Sequence, residues 1–347
     1  MLVVAASCGG GLPAPVDEAL TTATPLRSYA DPKHIRIGTT VSPDGFSNEE
    51  LYKQILAHQF NIVVSEHMGM DVLQLQKGNW DFTKTDALLE YTAANQLDVW
   101  GPSLIYALDN PKWLDDGSWS PSDMDGIIHD HLQHVLDHVR GRIPWFNVVN
   151  EAFNDDGSYA TNIYTDTYGS NLGHYVEVAL QDARAIDPNV KLFINEHDAE
   201  TPNDKFNAMY AMVSDFKTRG IPIDGIGYQM HIKVNALDHD PAYFDKVAQT
   251  MKAYADLGIE VAITELDVRI ETPASDADLA KQATLYAGAF DVCHAQPACT
   301  MFMMWGFSDR YSWIPKFFSG QGEALILDDR FAFKPAYDAL LARLAAP

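Results

Sequence analysis

Short apolar runs, each followed by an amphipathic stretch, recur eight times along the chain, and this repetition limits its possible folds more than any other feature. The runs are Ile35 to Thr39, Asn61 to Val64, Asp98 to Gly101, Trp145 to Val149, Lys191 to Asn195, Gly225 to Gln229, Val261 to Thr264 and Thr300 to Trp305. Most are continuous rather than alternating, as in parallel strands covered on both faces. Helical signals lie between them. Ser47-Asn48-Glu49-Glu50 reads as a capping box. Further helices are expected to start near Pro202, Pro241 and Asp276, with C-caps at Gly220 and Gly258 and a stop at Asp187-Pro188. Eight β-then-α units without a break in composition predict an α/β protein, a single (β/α)8 TIM barrel over residues 27–347. A doubly wound open sheet is the alternative, disfavoured because no glycine-rich phosphate loop follows any strand.

The 347 residues, 47% of them hydrophobic, are enough for one such barrel. A formal net charge of -24 argues against nucleic acid or an anionic membrane surface as the main partner. Residues 1–26 stand apart. Met-Leu-Val-Val-Ala-Ala-Ser-Cys-Gly-Gly-Gly, although it carries no basic residue, resembles the tail of a bacterial lipoprotein signal, and a Gly/Pro/Thr-rich linker follows. The expectation is an exported protein, periplasmic, outer-membrane or extracellular, with Cys8 as a possible lipid anchor. Cys293 and Cys299 close so small a loop that they form either a disulfide in an oxidising compartment or two buried thiols. With no partner cluster for a zinc site, the disulfide is expected.

In a barrel of this kind the functional side chains come from the C-terminal ends of the strands. Those ends carry Thr39 and Thr40, Glu66 and His67, Pro102 to Tyr106, Asn150 and Glu151, Asn195 to Asp198, Gln229 and His231, Glu265 and Asp267, and Trp305. Two of the runs, WFNVVNE and VAITE, stop on a carboxylate. On the fourth and seventh strands, Glu151 and Glu265 would face each other across the mouth, and paired carboxylates are the apparatus of glycoside hydrolysis. A separation of about 5 to 5.5 Å goes with retention of anomeric configuration, and roughly 6.5 to 9.5 Å with inversion.

The segments GNWDF, WFNVVNEAFNDDGS, KLFIN, GIPIDGIGYQMHI, VAITELDVR and MMWGFSDRYSW, with the Cys293/Cys299 pair before the last strand, resemble glycoside hydrolase family 10, the endo-β-1,4-xylanase family. The resemblance covers nearly all of the barrel. It implies a retaining double displacement, with Glu265 as nucleophile and Glu151 as acid/base. It further implies Asn150 on the sugar 2-hydroxyl, His231 bonded to Glu265 and held by Asp267, and Gln229 reaching towards Glu151. Trp305 and Trp313 match the family's aromatic walls of the sugar site. Trp80, Trp100, Trp113, Trp119 and Trp145 have no such context and read as packing or loop residues. No cofactor or metal is implied, and the partner is a polysaccharide or oligosaccharide met by a monomer.

The second and third strand ends depart from the family. Its Glu-Asn-x-Met-Lys becomes Glu66-His67-Met68-Gly69-Met70, and Gly-His-Thr-Leu-Val-Trp becomes Gly101-Pro102-Ser103-Leu104-Ile105-Tyr106. His197 stands where a tyrosine is usual, on the side of the leaving sugar. Glu66, His67, Tyr106 and His197 are therefore the expected substrate-binding positions with altered chemistry. Lost donors relax discrimination, so a decorated or atypical β-linked substrate, or only weak action on plain xylan, is expected. The competing readings are a binding or sensing barrel with little turnover and another retaining β-glycanase or exo-glycosidase.

Two weaker signals read as surface. His129, His131, His134 and His138 share one helix and suggest a solvated histidine-rich face rather than a metal site. The loops Asp115-Asp116-Gly117 and Asp155-Asp156-Gly157 lack the ligand spacing of a calcium loop and read as turns.

Overall fold

A computed structural model describes residues 24–66 and 68–346; the N-terminal segment with Cys8, and His67, lie outside the described residues. Eight parallel strands form the barrel: β1 (Arg36–Val41), β2 (Ile62–Ser65), β3 (Asp98–Gly101), β4 (Trp145–Asn150), β5 (Lys191–Glu196), β6 (Gly225–Tyr228), β7 (Glu260–Glu271) and β8 (Cys299–Met304). Each pairs with the next, and the ring closes where β8 returns to β1, with Ile37 opposite Phe302. That closure excludes the open sheet.

Side chains along each strand alternate between two cores, as the two-residue period of a strand requires. Ile62, Val64, Trp100, Phe193, Ala262, Met301 and Met303 fill the inside of the barrel. Their neighbours Val63, Val99, Leu192, Ile194 and Ile263 join the larger core beneath the helices. The interior is tight at Gly225, where a Cβ would come within 2.1 Å of the Phe193 ring.

The expected helix limits hold at several points. Asp187 caps the helix His174–Ile186, Gly220 ends Asp204–Arg219 in left-handed backbone, and Ser275 forms a capping box with Asp278 ahead of Asp276–Ala295. The Ser47 capping box does not form. Ser42 and Pro43 start a helical turn earlier, with the Ser42 hydroxyl accepting from the Gly45 amide, so Ser47 already lies inside the helix Pro43–Asn48. Proline at the first helical position behind a serine cap is the stronger start signal.

The histidine-bearing helix Pro121–Val139 also differs from expectation. The Trp80 ring stacks on His134 at 4.3 Å, Phe82 stacks on His138 at 3.9 Å, and His131 is 1% exposed. Burial pushes the His131 pKa down to about 3, so it packs as a neutral ring. The aromatics of GNWDF thus cover part of this face, His129 and His134 staying exposed as expected, and His138 turns its Nε2 to Asp86 at 2.8 Å.

The strand β7 is longer than the sequence suggested. Past Glu265 it continues through buried Leu266, Val268 and Ile270 and leaves the barrel wall to pair with two short segments, His231–Lys233 and Gln321–Gly322. Glu265 therefore sits mid-strand. The Cys293–Cys299 disulfide is formed, joining the end of Asp276–Ala295 to the start of β8.

Candidate active site

The carboxylates are aimed by irregular backbone. The β4–β5 register shifts between Asn147 and Val149, and the β7–β8 register shifts between Ile263 and Leu266, just before and around the two acids. Such irregularities re-aim side chains in a ladder. After β4, β5 and β6 the chain then turns through left-handed backbone at Glu151 (φ 53), Asp198 (φ 53) and Met230 (φ 60). None of these is glycine, so each costs on the order of 1–2 kcal/mol. At Glu151 the turn is fixed by its amide donating to the Asn195 carbonyl at 3.0 Å.

A chain of amides joins the two acids. Asn147 Nδ2 and Asn195 Nδ2 donate to Asn150 Oδ1 at 3.0 and 2.9 Å, which turns Asn150 Nδ2 towards Glu151 Oε1 at 3.3 Å. Gln229 Nε2 donates to the same Glu151 oxygen at 3.0 Å, and the Tyr106 hydroxyl donates to the other, Oε2, at 2.9 Å. Asn195 Nδ2 also donates to Glu265 Oε1 at 2.7 Å, while Asn195 Oδ1 accepts from Thr264 Oγ1 at 2.6 Å. Gly227 makes this arrangement possible, since a Cβ there would lie 2.2 Å from Asn195 Oδ1.

Glu265 has an ionic partner as well. His231 Nε2 lies 3.4 Å from Glu265 Oε2, and its Nδ1 lies 2.9 Å from Asp267 Oδ2. Asp267 Oδ2 also accepts from the Trp313 indole at 2.8 Å. Burial alone would lower the His231 pKa, but Asp267 and Glu265 outweigh it and hold it up at about 10. His231 is therefore an imidazolium near neutral pH. Burial raises the Glu265 carboxyl, with Glu151 adding to the rise and His231 and Asn195 opposing it.

The remaining predicted positions divide. Glu66, Trp305, Trp313, Tyr311, Tyr52 and Lys316 line a cleft of about 370 Å³ beside the acids. Burial pushes the Glu66 carboxyl up to about 7 against the Thr40 hydroxyl. Trp313 both lines the cleft and braces Asp267. Tyr106, expected on the substrate, donates its hydroxyl to Glu151 Oε2. His197 sits with Asp198 at 2.9 Å and with the Lys205 ammonium 3.2 Å from its Nε2. Ligand atoms of Asp155, His197 and Asp198 lie within 4.8 Å of one another, a spacing that suits a metal ion. Lys205 Nζ already sits 2.9 Å from Asp155 and 3.4 Å from Glu196, so the cation of this cluster is the lysine.

Asn195, Asn147 and Thr264 carry no sequence signal for these roles, although Asn195 stands among the strand-end residues. Asp109 is a further unexpected acid, its carboxyl pushed up to about 7 by burial and Asp71, with Glu151 and Glu265 adding to the effect. The loop carrying Asp109 gave no signal beyond its place after β3.

Comparison with known proteins identifies the family. The model of glycosyl hydrolase family 10 matches residues 25–343. Endo-1,4-beta-xylanase B of Thermotoga neapolitana is 34% identical over 320 residues, 91% of this chain and 90% of that protein. Endo-1,4-beta-xylanase A of Phanerodontia chrysosporium is 33% identical over 93% of this chain and 78% of its own length. Among solved structures, xylanase 10B from Thermotoga petrophila RKU-1 in complex with xylobiose superposes with a TM-score of 0.88 at 32% identity, covering 93% of this chain and 98% of that one.

Proposed function

The chain belongs to glycosyl hydrolase family 10, and from that membership and its site we propose that it hydrolyses internal β-1,4 linkages of xylan or a related β-glycan by double displacement. The observation that carries the assignment of roles is the difference between the two carboxylates' partners. Glu265 is backed by the His231 imidazolium and the Asn195 amide. The cation opposes the rise that burial imposes on the Glu265 carboxyl and so favours the anion that attacks the anomeric carbon. Glu151 is held by a phenol and two carboxamides, with no cation among its hydrogen-bond donors. That setting suits a group that must carry a proton in one step and take one in the next.

In the first step Glu265 bonds to the anomeric carbon while Glu151 gives its proton to the departing oxygen. In the second, Glu151 removes a proton from water, which displaces Glu265 with net retention. Trp305 and Trp313 offer flat apolar faces to the pyranose rings. At the altered second and third strand ends, Met70 and Pro102 supply no side-chain N–H donor, so a decorated or atypical β-glycan is the proposed preferred substrate. Comparable or higher kcat/KM on unsubstituted xylo-oligosaccharides would overturn that preference.

A polymeric substrate lies outside the cell, and the formed disulfide fits an oxidising compartment. Both support the proposal that residues 1–26 direct export, with Cys8 as the anchoring residue. The deciding experiment is a panel of β-glycans given to wild type, Glu265→Ala and Glu151→Ala, with the anomer of the first-formed product followed by NMR. Retention, and loss of turnover by several orders of magnitude in Glu265→Ala, is the expected result. Binding without turnover on every substrate would favour a sensor, and an inverted product would reject the double displacement.

A further inference from the structure

Only one oxygen of Glu151 is free to carry the proton. Oε1 accepts from two N–H donors, Gln229 at 3.0 Å and Asn150 at 3.3 Å. Asn150 is locked in that orientation because its own oxygen accepts from Asn147 and Asn195. A proton on Oε1 would break this arrangement, so the acid form carries it on Oε2. The hydrogen-bond partner of Oε2 among the described residues is the Tyr106 hydroxyl, at 2.9 Å. Of the three side chains on Glu151, the hydroxyl alone can accept or donate by rotating about its C–O bond.

We propose that Tyr106 is a positioning residue for Glu151 whose hydroxyl reverses direction as the proton moves, accepting from Oε2–H in the resting acid and donating to Oε2 once the proton has left. The inference rests on Glu151 being the acid/base. When the glycosidic bond breaks, its electron pair stays on the departing oxygen, the Oε2 proton joins that oxygen, and the Glu265 carboxylate bonds to the anomeric carbon. The Tyr106 proton stays on Tyr106 and swings towards the new charge on Oε2. When water later returns a proton to Oε2, the hydroxyl swings back. The phenol does not ionise in this cycle, because burial and the nearby charges of Glu151, Asp109 and Glu265 all raise its pKa. Its place in the fold suits the role: the adjacent Ile105 is bridged to Val149 of β4, so the loop after β3 is fixed to the strand that precedes Glu151.

The test separates proton donation from packing by changing the leaving group. A dinitrophenolate departs without a proton, whereas a sugar or a phenol needs one. Tyr106→Phe keeps the ring and is expected to lose about 10-fold or more in kcat/KM on phenyl glycosides and unactivated oligosaccharides, the size of one hydrogen bond to a charged group. On dinitrophenyl glycosides it should stay within about 2-fold of wild type. Equal losses on both classes would mean a structural role and overturn the proposal, as would no loss on either. Tyr106→Trp, which only donates, should recover part of the loss; full recovery would reject the two-way role. Glu151→Ala in the same assay tests the underlying reading separately, since unchanged turnover of unactivated substrates there would remove Glu151 from the chemistry whatever Tyr106 does.

Discussion

Asn195 reaches both halves of the site through one nitrogen: its Nδ2 lies 2.9 Å from Asn150 Oδ1 and 2.7 Å from Glu265 Oε1. The same residue's carbonyl fixes the Glu151 turn, so one position on β5 sets the orientation of both acids. Asn195→Asp is nearly isosteric but sets a second carboxylate against Glu265, and two such groups share a proton instead of both ionising. We expect kcat to fall about 100-fold, the scale of losing one preorganised donor, with little change in Tm. Wild-type turnover in a folded Asn195→Asp enzyme would show that the bridge is dispensable.

The raised pKa of His231 predicts a pH dependence of stability. A group held up at about 10, from an ordinary 6.5, contributes stability that is fully present below 6.5 and is lost as pH rises towards 10. The Tm difference between wild type and His231→Asn should therefore be largest near pH 6 and shrink by about 2 °C or more by pH 10. A difference that is constant or grows with pH would contradict the imidazolium.

Lys205 is 1% exposed and lies against Glu196, which is fully buried. Burial pushes the Glu196 carboxyl up to about 7 even with Lys205 foremost, and then His197, opposing the rise. Lys205→Met should cost roughly 3 kcal/mol or more in unfolding experiments, because it leaves an unpaired buried acid. Adding Glu196→Leu should recover much of that loss. A double variant less stable than the single one would mean that the pair is not the source of the cost.

The disulfide lies at the opposite end of β8 from Trp305, away from the acids. Its short loop limits what it constrains in the unfolded chain, so replacing Cys293 and Cys299 by alanine should cost roughly 2 kcal/mol. The kcat should not change. A large drop in kcat at a temperature where the variant is folded would reveal a link between the two ends of the barrel.

What could be read in the sequence follows from how local the causes are. The strands and the two acids were legible because each is written in a few consecutive residues, an apolar run that meets a carboxylate. Ser47 misled because a second start signal five residues earlier competes for the same turn. The histidine helix misled at His131 and His138 because their cover, Trp80 and Phe82, comes from a distant segment. Asn195 and Tyr106 were present among the strand-end residues, yet their roles depend on which atoms meet across strands, and no spacing encodes that. The extension of β7 had a signal in the alternation of Leu266, Val268 and Ile270, obscured by the charged residues between them.

The left-handed turn at Glu151 sets selection for activity against selection for stability at a single codon. Glycine or asparagine would relax the backbone there, and neither can carry a proton to a sugar. A lineage released from the need to cut its polymer could drift towards a sturdier protein through this position, so a stabilising replacement of Glu151 in a related chain would mark the loss of catalysis more directly than decay elsewhere in the barrel.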